Sequence, residues 1–159
     1  MSLSLNKTLW TVCLISTSAV VVALVSQYQF GLKPCPWCVL QRFIYTVMAV
    51  LSGLGALISS PSIKKTLTGL TGLSAACGLA AALYQNLVAA HQDSCFLGFA
   101  DRVVDGLHLE RIWPFLFKIK GSCADAAVSV LGVPYELWSA LLYTALILVI
   151  VRILTQRRA

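Results

Sequence analysis

The feature that most constrains this chain is the spacing of its charges. Residues 8–32 contain no Asp, Glu, Lys or Arg, and neither do residues 43–63 or 66–92. A helix needs roughly 20 mostly apolar residues to cross a bilayer, with a range of about 17–25. All three runs are long enough. A fourth, 137–151, is shorter, but Val133-Pro134-Tyr135 precedes it, and Arg152 behind it can lay its stem along lipid while its charge reaches the head groups. The predicted spans lie near 9–28, 40–59, 67–88 and 135–153, with outer connections near 29–39 and 89–134. The fold class is an all-α membrane protein, a four-transmembrane-helix bundle forming one integral membrane domain over 1–159.

Composition agrees. The chain is 58% hydrophobic and 11% charged, against about 45–50% and about 25% in soluble domains. Lipid as solvent explains that excess better than a large core. Small residues suited to close helix packing recur in the second run, at Gly53 and Gly55, and in the third, at Gly69, Gly72 and Gly78. The first run is too long for the apolar region of a secretory signal, about 7–15 residues, and no A-x-A site stands out, so it reads as an anchor. A net charge of +6 invites a nucleic-acid reading. The basic residues form no stripe and no recognisable module, which excludes it.

Lys and Arg in the short connections orient the bundle. Lys7, Lys64, Lys65, Arg152, Arg157 and Arg158 share one side without acids. On the other side, Arg102, Arg111, Lys118 and Lys120 are offset by Asp93, Asp101, Asp105, Glu110 and Asp125. Both termini and a 60–66 turn are therefore expected in the cytoplasm. This orientation puts Cys35, Cys38, Cys95 and Cys123 on the outer, oxidising face, and Cys13 and Cys77 within the first and third apolar runs, as small packing residues. Within the outer segment, 112–120 is apolar and aromatic with two lysines. It suits a short helix lying in the membrane interface, or a small core under the loop.

The chemistry concentrates at Cys35-Pro36-Trp37-Cys38, at the mouth of the second run. A C-x-x-C pair can form a structural disulfide, bind a metal or exchange electrons with other thiols. Proline favours the first position of a helix, which places Cys35 near the N-cap and Cys38 in the first turn. Helix N-termini favour anions and hence thiolate. Arg42 follows Cys38 by one turn on the same face and can stabilise a thiolate or donate to a carbonyl oxygen, or it can reach out to the head groups. Cys95 and Cys123, 28 positions apart, can brace their loop as a disulfide or pass electrons to another dithiol by exchange. Zinc would need all four thiolates to converge, and only the first pair has knuckle-like spacing. His91 and His108 lie near the same face, as interfacial polar residues.

With Cys-Pro-Trp-Cys-Val-Leu-Gln-Arg opening the second of four helices, the chain resembles the DsbB family of disulfide bond formation proteins. Gly31-Leu32-Lys33-Pro34-Cys35, Gln41-Arg42, Gly121-Ser122-Cys123-Ala124-Asp125 and the stretch 131–139 carry the resemblance, which covers nearly the whole chain. It implies a protein-dithiol:quinone oxidoreductase of the bacterial inner membrane. In that mechanism a DsbA-like periplasmic thioredoxin-fold protein attacks a Cys95–Cys123 disulfide, and Cys95 takes the mixed disulfide. Electrons pass to Cys35 and Cys38 through a Cys35–Cys123 link. Cys38, with Arg42, then meets a quinone, ubiquinone or menaquinone, from the membrane pool. The family often carries a polar residue late in the third helix near the quinone; the candidates are Gln85, Asn86 and His91. Two other readings stand beside this one. A vitamin K epoxide reductase-like enzyme is disfavoured because its C-x-x-C lies late in the bundle. The other is a non-catalytic membrane protein braced by disulfides.

Overall fold

Proline decides where two of the long helices begin. In the computed structural model the described residues are 2–91, 98–126 and 128–155. Helix α1 runs Ser2–Gln29, α2 Pro36–Leu57, α3 Pro61–Leu87 and α8 Tyr135–Thr155. Pro36 and Pro61 open α2 and α3, where the missing N–H has no helical partner to lose and the fixed φ already suits the helix. Two boundaries differ from expectation for this reason. Helix α2 starts at Pro36 rather than near 40, with Cys35 at its N-cap and Cys38 in its first turn, as the prolines led one to expect. Helix α3 starts at Pro61 rather than near 67, so the predicted 60–66 turn is mostly helix and the connection shrinks to 58–60. Lys64 then lies in α3 and donates from Nζ to Asn6 Oδ1 of α1 at 2.6 Å.

Four helices among the described residues are long and apolar enough to cross a membrane. Helix α2 packs on α1 and α3, and α3 on α8, whereas α1 and α8 touch little. Lipid offers no hydrophobic drive between helices, so close fit and hydrogen bonds must hold them. Glycines supply the fit. Gly55 lies against Leu9 of α1, Gly72 against Ile150 of α8, and Gly78 against the Tyr143 ring of α8. Tyr143 is fully buried, stacks on Tyr45 of α2 at 4.2 Å between centroids, and donates its hydroxyl to Gln41 O at 3.1 Å. Gly53 lies against Cys13, so that cysteine packs the α1–α2 seam. Cys77 is exposed on α3.

The outer segment is more structured than the sequence suggested. A 3-10 turn at Ala89–His91 is followed by α4 (Phe99–Gly106), α5 (Leu109–Ile112), α6 (Pro114–Phe117) and α7 (Cys123–Ala126). A hairpin of β1 (Ser129–Val130) and β2 (Val133–Pro134) then leads into α8. Its two-residue turn puts Leu131 and Gly132 at φ +55° and +77°, the paired positive φ of a tight hairpin. The stretch 112–120 holds the last residue of α5, a break at Trp113 and the single turn α6, with an extended tail, because Pro114 cannot continue α5. The small core expected under the loop is present. Ile112, Trp113 and Phe115 face outward, while Phe117 is buried with Val39, Val104 and Leu109.

Candidate active site

Cys35 caps α2. Its backbone is extended (φ −87°, ψ 171°) and its Sγ accepts from Cys38 N at 3.4 Å. One turn of helix brings the two sulfurs to 3.1 Å, both as free thiols. Cys35 is fully buried and Cys38 is partly exposed. Cys35, just outside the membrane-crossing part of α2, has its thiol pKa pushed up, first by the hydrogen bond with Cys38 Sγ and then by burial. Trp37, between the cysteines, packs on Tyr84 of α3 at 4.7 Å and on Phe99 of α4 at 6.3 Å between centroids. The outer segment is thereby seated directly on the dithiol.

Cys123 reaches the same place. Lys120 N donates to Pro34 O at 3.0 Å, tying the second outer connection to the first. Gly121 then passes so close to Lys33 that a Cβ there would stand 2.9 Å from Lys33 Cβ. Ser122 and Asp125 form a capping box on α7. Asp125 N donates to Ser122 Oγ at 3.2 Å, and Asp125 Oδ2 accepts from Ser122 N at 3.1 Å and Oγ at 2.8 Å. Those bonds from Ser122 hold the Asp125 carboxyl below its ordinary pKa. The box leaves Cys123 buried in one apolar cluster with Cys35, Trp37, Leu40 and Ala100. Cys123 is disulfide-bonded, whereas Cys13, Cys35, Cys38 and Cys77 are free. Cys95 lies outside the described residues.

Arg42 does not reach out to the head groups. It is 6% exposed and points back along α2 toward α1, the direction helical side chains favour. Nη1 donates to Gln27 Oε1 at 2.5 Å and to Leu116 O at 3.3 Å, and Nη2 to Ala23 O at 3.1 Å. All three acceptors are neutral, so among the described residues no carboxylate bonds to the guanidinium. Tyr28 secures the Leu116 carbonyl by stacking on Phe115 at 4.9 Å and donating its hydroxyl to Phe115 O at 2.9 Å.

Of the three polar candidates on and after α3, the structure singles out Gln85. Its Nε2 donates to Cys38 Sγ at 3.4 Å and its Oε1 accepts from Gln41 Nε2 at 2.8 Å. Asn86 instead donates to Glu136 Oε1 of α8 at 3.2 Å, and His91 is exposed in the 3-10 turn. Sequence reasoning missed Gln27, Gln41 as a partner, and Glu136. Their signal was present: each is a polar residue in or beside an apolar span, where such groups need partners.

Cys38, Gln41, Arg42, Gln85 and Glu136 share the mostly apolar wall of one cavity of about 620 Å³ between α1, α2 and α8, with Lys33, Tyr45 and Tyr135 also in it. That size and lining suit a small organic ligand. A flat apolar ring bearing oxygens fits: the wall accepts the ring, and Arg42, with five N–H groups, has donors beyond its three bonds. Among the described residues no cluster of three or more His, Cys, Asp or Glu forms.

Comparison with known proteins gives a consistent result. The family model described as "Disulfide bond formation protein DsbB" matches residues 6–153. The chain is 35% identical to Disulfide bond formation protein B of Ralstonia nicotianae over 150 residues, covering 92% of this chain and 93% of that one. It is 35% identical to the protein of that name from Pseudomonas syringae pv. tomato over 118 residues, covering 74% and 70%. With the one from Cupriavidus necator it shares 32% over 129 residues, covering 80% and 79%.

Proposed function

Because this chain belongs to the DsbB family of disulfide bond formation proteins, a family of multi-pass bacterial membrane oxidoreductases that generate disulfides, we propose that it is a protein-dithiol:quinone oxidoreductase. In this reading its dithiol partner is a DsbA-like periplasmic thioredoxin-fold protein and its electron acceptor is ubiquinone or menaquinone. The observation that carries the reading is the position of Cys38. Its sulfur touches Cys35 on one side and, on the other, stands in the wall of a cavity shared with Arg42 and Gln85.

The chain's own residues divide the work. A thiolate of the partner attacks the disulfide that Cys123 forms with Cys95, and Cys95 becomes the mixed-disulfide partner. The second partner thiol displaces Cys95, leaving the partner oxidised and Cys95 and Cys123 reduced. Cys123, buried beside Cys35, then attacks Cys35 of the Cys35–Cys38 disulfide and releases Cys38. Cys95 displaces Cys35 from the resulting Cys35–Cys123 link, which re-forms the Cys95–Cys123 disulfide and leaves Cys35 and Cys38 reduced. Exchange needs an accessible sulfur and a thiolate within reach, and the shared cluster supplies the reach. Gln85 donates an N–H to Cys38 Sγ, and the Arg42 guanidinium lines the same cavity. Arg42, Gln41 and Gln85 would hold the quinone, whose chemistry when bound is to accept two electrons and two protons. Exit of the electrons toward lipid is consistent with the cavity lying between α1 and α8.

The chain reads as one integral membrane domain with both termini cytoplasmic, supported by Lys7, Lys64, Lys65 and Arg152 at one end of the bundle. The test is direct. Purified protein in detergent is mixed with the reduced thioredoxin-fold partner and a ubiquinone analogue, and quinone absorbance is followed. Wild type is expected to reduce the quinone, Cys38→Ser to abolish turnover and Cys13→Ser to leave it unchanged. No quinone reduction by wild type would overturn the proposal.

A further inference from the structure

The electron path uses Cys38, Gln85 and Arg42 but leaves unused the one carboxyl group among the described residues of the cavity wall. Glu136, in the first turn of α8, is 3% exposed and lines the cavity. Its Oε1 accepts from the neutral Asn86 amide, while its Oε2 is buried with no hydrogen-bond partner. A carboxyl oxygen without a donor is costly to bury, and a side chain serving only as a strut between α3 and α8 would need only the oxygen that Asn86 engages. The other charged or titratable side chains lining it are Lys33, Cys38, Arg42, Tyr45 and Tyr135. Arg42, which donates to Gln27 and two backbone carbonyls, stays protonated and has no proton to exchange. Glu136 is thus a carboxyl group with a spare oxygen beside the place where two protons must arrive.

We propose that Glu136 is the proton-exchanging group of the quinone step. The inference rests on the function proposed above. In balance, the Cys35–Cys38 dithiol loses two electrons and two protons as its S–S bond forms, and a quinone taken as substrate gains both pairs. One proton reaches a quinone oxygen from the Glu136 carboxyl, breaking its O–H bond, and the other quinone oxygen takes the second proton directly from the dithiol. The carboxylate left behind is reprotonated by a proton that the dithiol gives up, so Glu136 ends unchanged. The simple structural alternative is an acid favoured by the α8 N-terminus, which predicts no coupling to redox state.

The experiment compares wild type with Glu136→Gln, which keeps the shape and the acceptor for Asn86. Two readouts are taken: steady-state kinetics, and reduction-triggered infrared difference spectra of the purified protein with quinone bound. Wild type is expected to show a carboxylic C=O band that changes on reduction. In E136Q that band should vanish and kcat should fall ~100-fold, the scale of one acid–base group, with the KM for the protein partner unchanged. A wild-type kcat in E136Q, or a band that persists in it, overturns the inference while leaving the proposed function intact. Wild type that reduces no quinone removes the underlying function instead. If E136Q does not fold, Glu136→Asp carries the test: it should keep a shifted carboxyl band, and a folded E136D without one overturns the proposal.

Discussion

Gln85 Nε2 lies 3.4 Å from Cys38 Sγ, and the same side chain accepts from Gln41 Nε2 at 2.8 Å. One amide of α3 therefore fixes both the inner sulfur and a second polar group of α2. A hydrogen bond to a charged group is worth about 1.5–3 kcal/mol, and each 1.36 kcal/mol is tenfold in rate. Gln85→Leu is expected to slow quinone reduction by about 10–100-fold. Exchange between the partner and the Cys123 disulfide should keep its wild-type rate in stopped-flow measurements. Equal slowing of both steps would show that Gln85 acts only through the fold.

The α3–α8 contact makes a sharper stability prediction. A Cβ at Gly78 would run into the Tyr143 ring, which is itself pinned by Tyr45 and by Gln41 O. Overpacking of this kind costs about 1–3 kcal/mol. Gly78→Ala should lower thermal stability in detergent accordingly. Gly69→Ala, with nothing within 4 Å of the added carbon, should be neutral or slightly stabilising by helix propensity. Equal behaviour of the two variants would rule out the ring contact as a determinant of the bundle.

Particular residues show why parts of this protein were legible from sequence and others were not. Charge-free runs marked the spans, because lipid penalises charge locally and residue by residue. Cys35 followed directly by Pro36 marked the cap of α2 for the same local reason. The polar cage was harder to see. Gln27 meets Arg42 across 15 positions and Asn86 meets Glu136 across 50, and such pairings follow from helix packing that no local pattern encodes. The outer segment was hardest: α4 packs on α2 through few residues, with Phe99 against Trp37. Its short elements lack the periodicity that identifies long ones.

Arg42 carries a prediction about ligand affinity. Arg42→Ala removes the cation from the cavity and leaves Gln27 Oε1 without its donor. The apparent affinity for a ubiquinone analogue is expected to fall tenfold or more, read as a rise in quinone KM and in the dissociation constant from tryptophan quenching. Arg42→Lys should recover only part of it, since an ammonium cannot span Gln27, Ala23 O and Leu116 O together. An unchanged quinone dependence in R42A would remove Arg42 from the site.

Asp125 gives the outer segment a pH dependence. Its folded-state pKa is depressed by the bonds from Ser122, so the capping box contributes stability above the ordinary carboxylate range. That contribution is lost as pH falls through the depressed value. Acid should therefore loosen α7 and speed reduction of the Cys123 disulfide by a small-molecule phosphine, whose reactivity is corrected for at each pH. Asp125→Asn should show the faster reduction already at neutral pH, with the acid-dependent increase flattened. A D125N profile parallel to wild type would exclude the box as its source.

The two thiols of α2 should differ in reactivity. Cys35 is fully buried, and its proton is held by the bond with Cys38 Sγ and by burial, whereas Cys38 is partly exposed at the cavity. Thiolate, not thiol, is the alkylating nucleophile. Limited iodoacetamide treatment of reduced protein at neutral pH, followed by peptide mass spectrometry, should modify Cys38 at least tenfold faster than Cys35. A quinone analogue that fills the cavity should protect Cys38 and leave the labelling of exposed Cys77 unchanged. Faster labelling of Cys35, or equal protection of Cys77, would contradict the assignment of Cys38 as the sulfur that faces the acceptor.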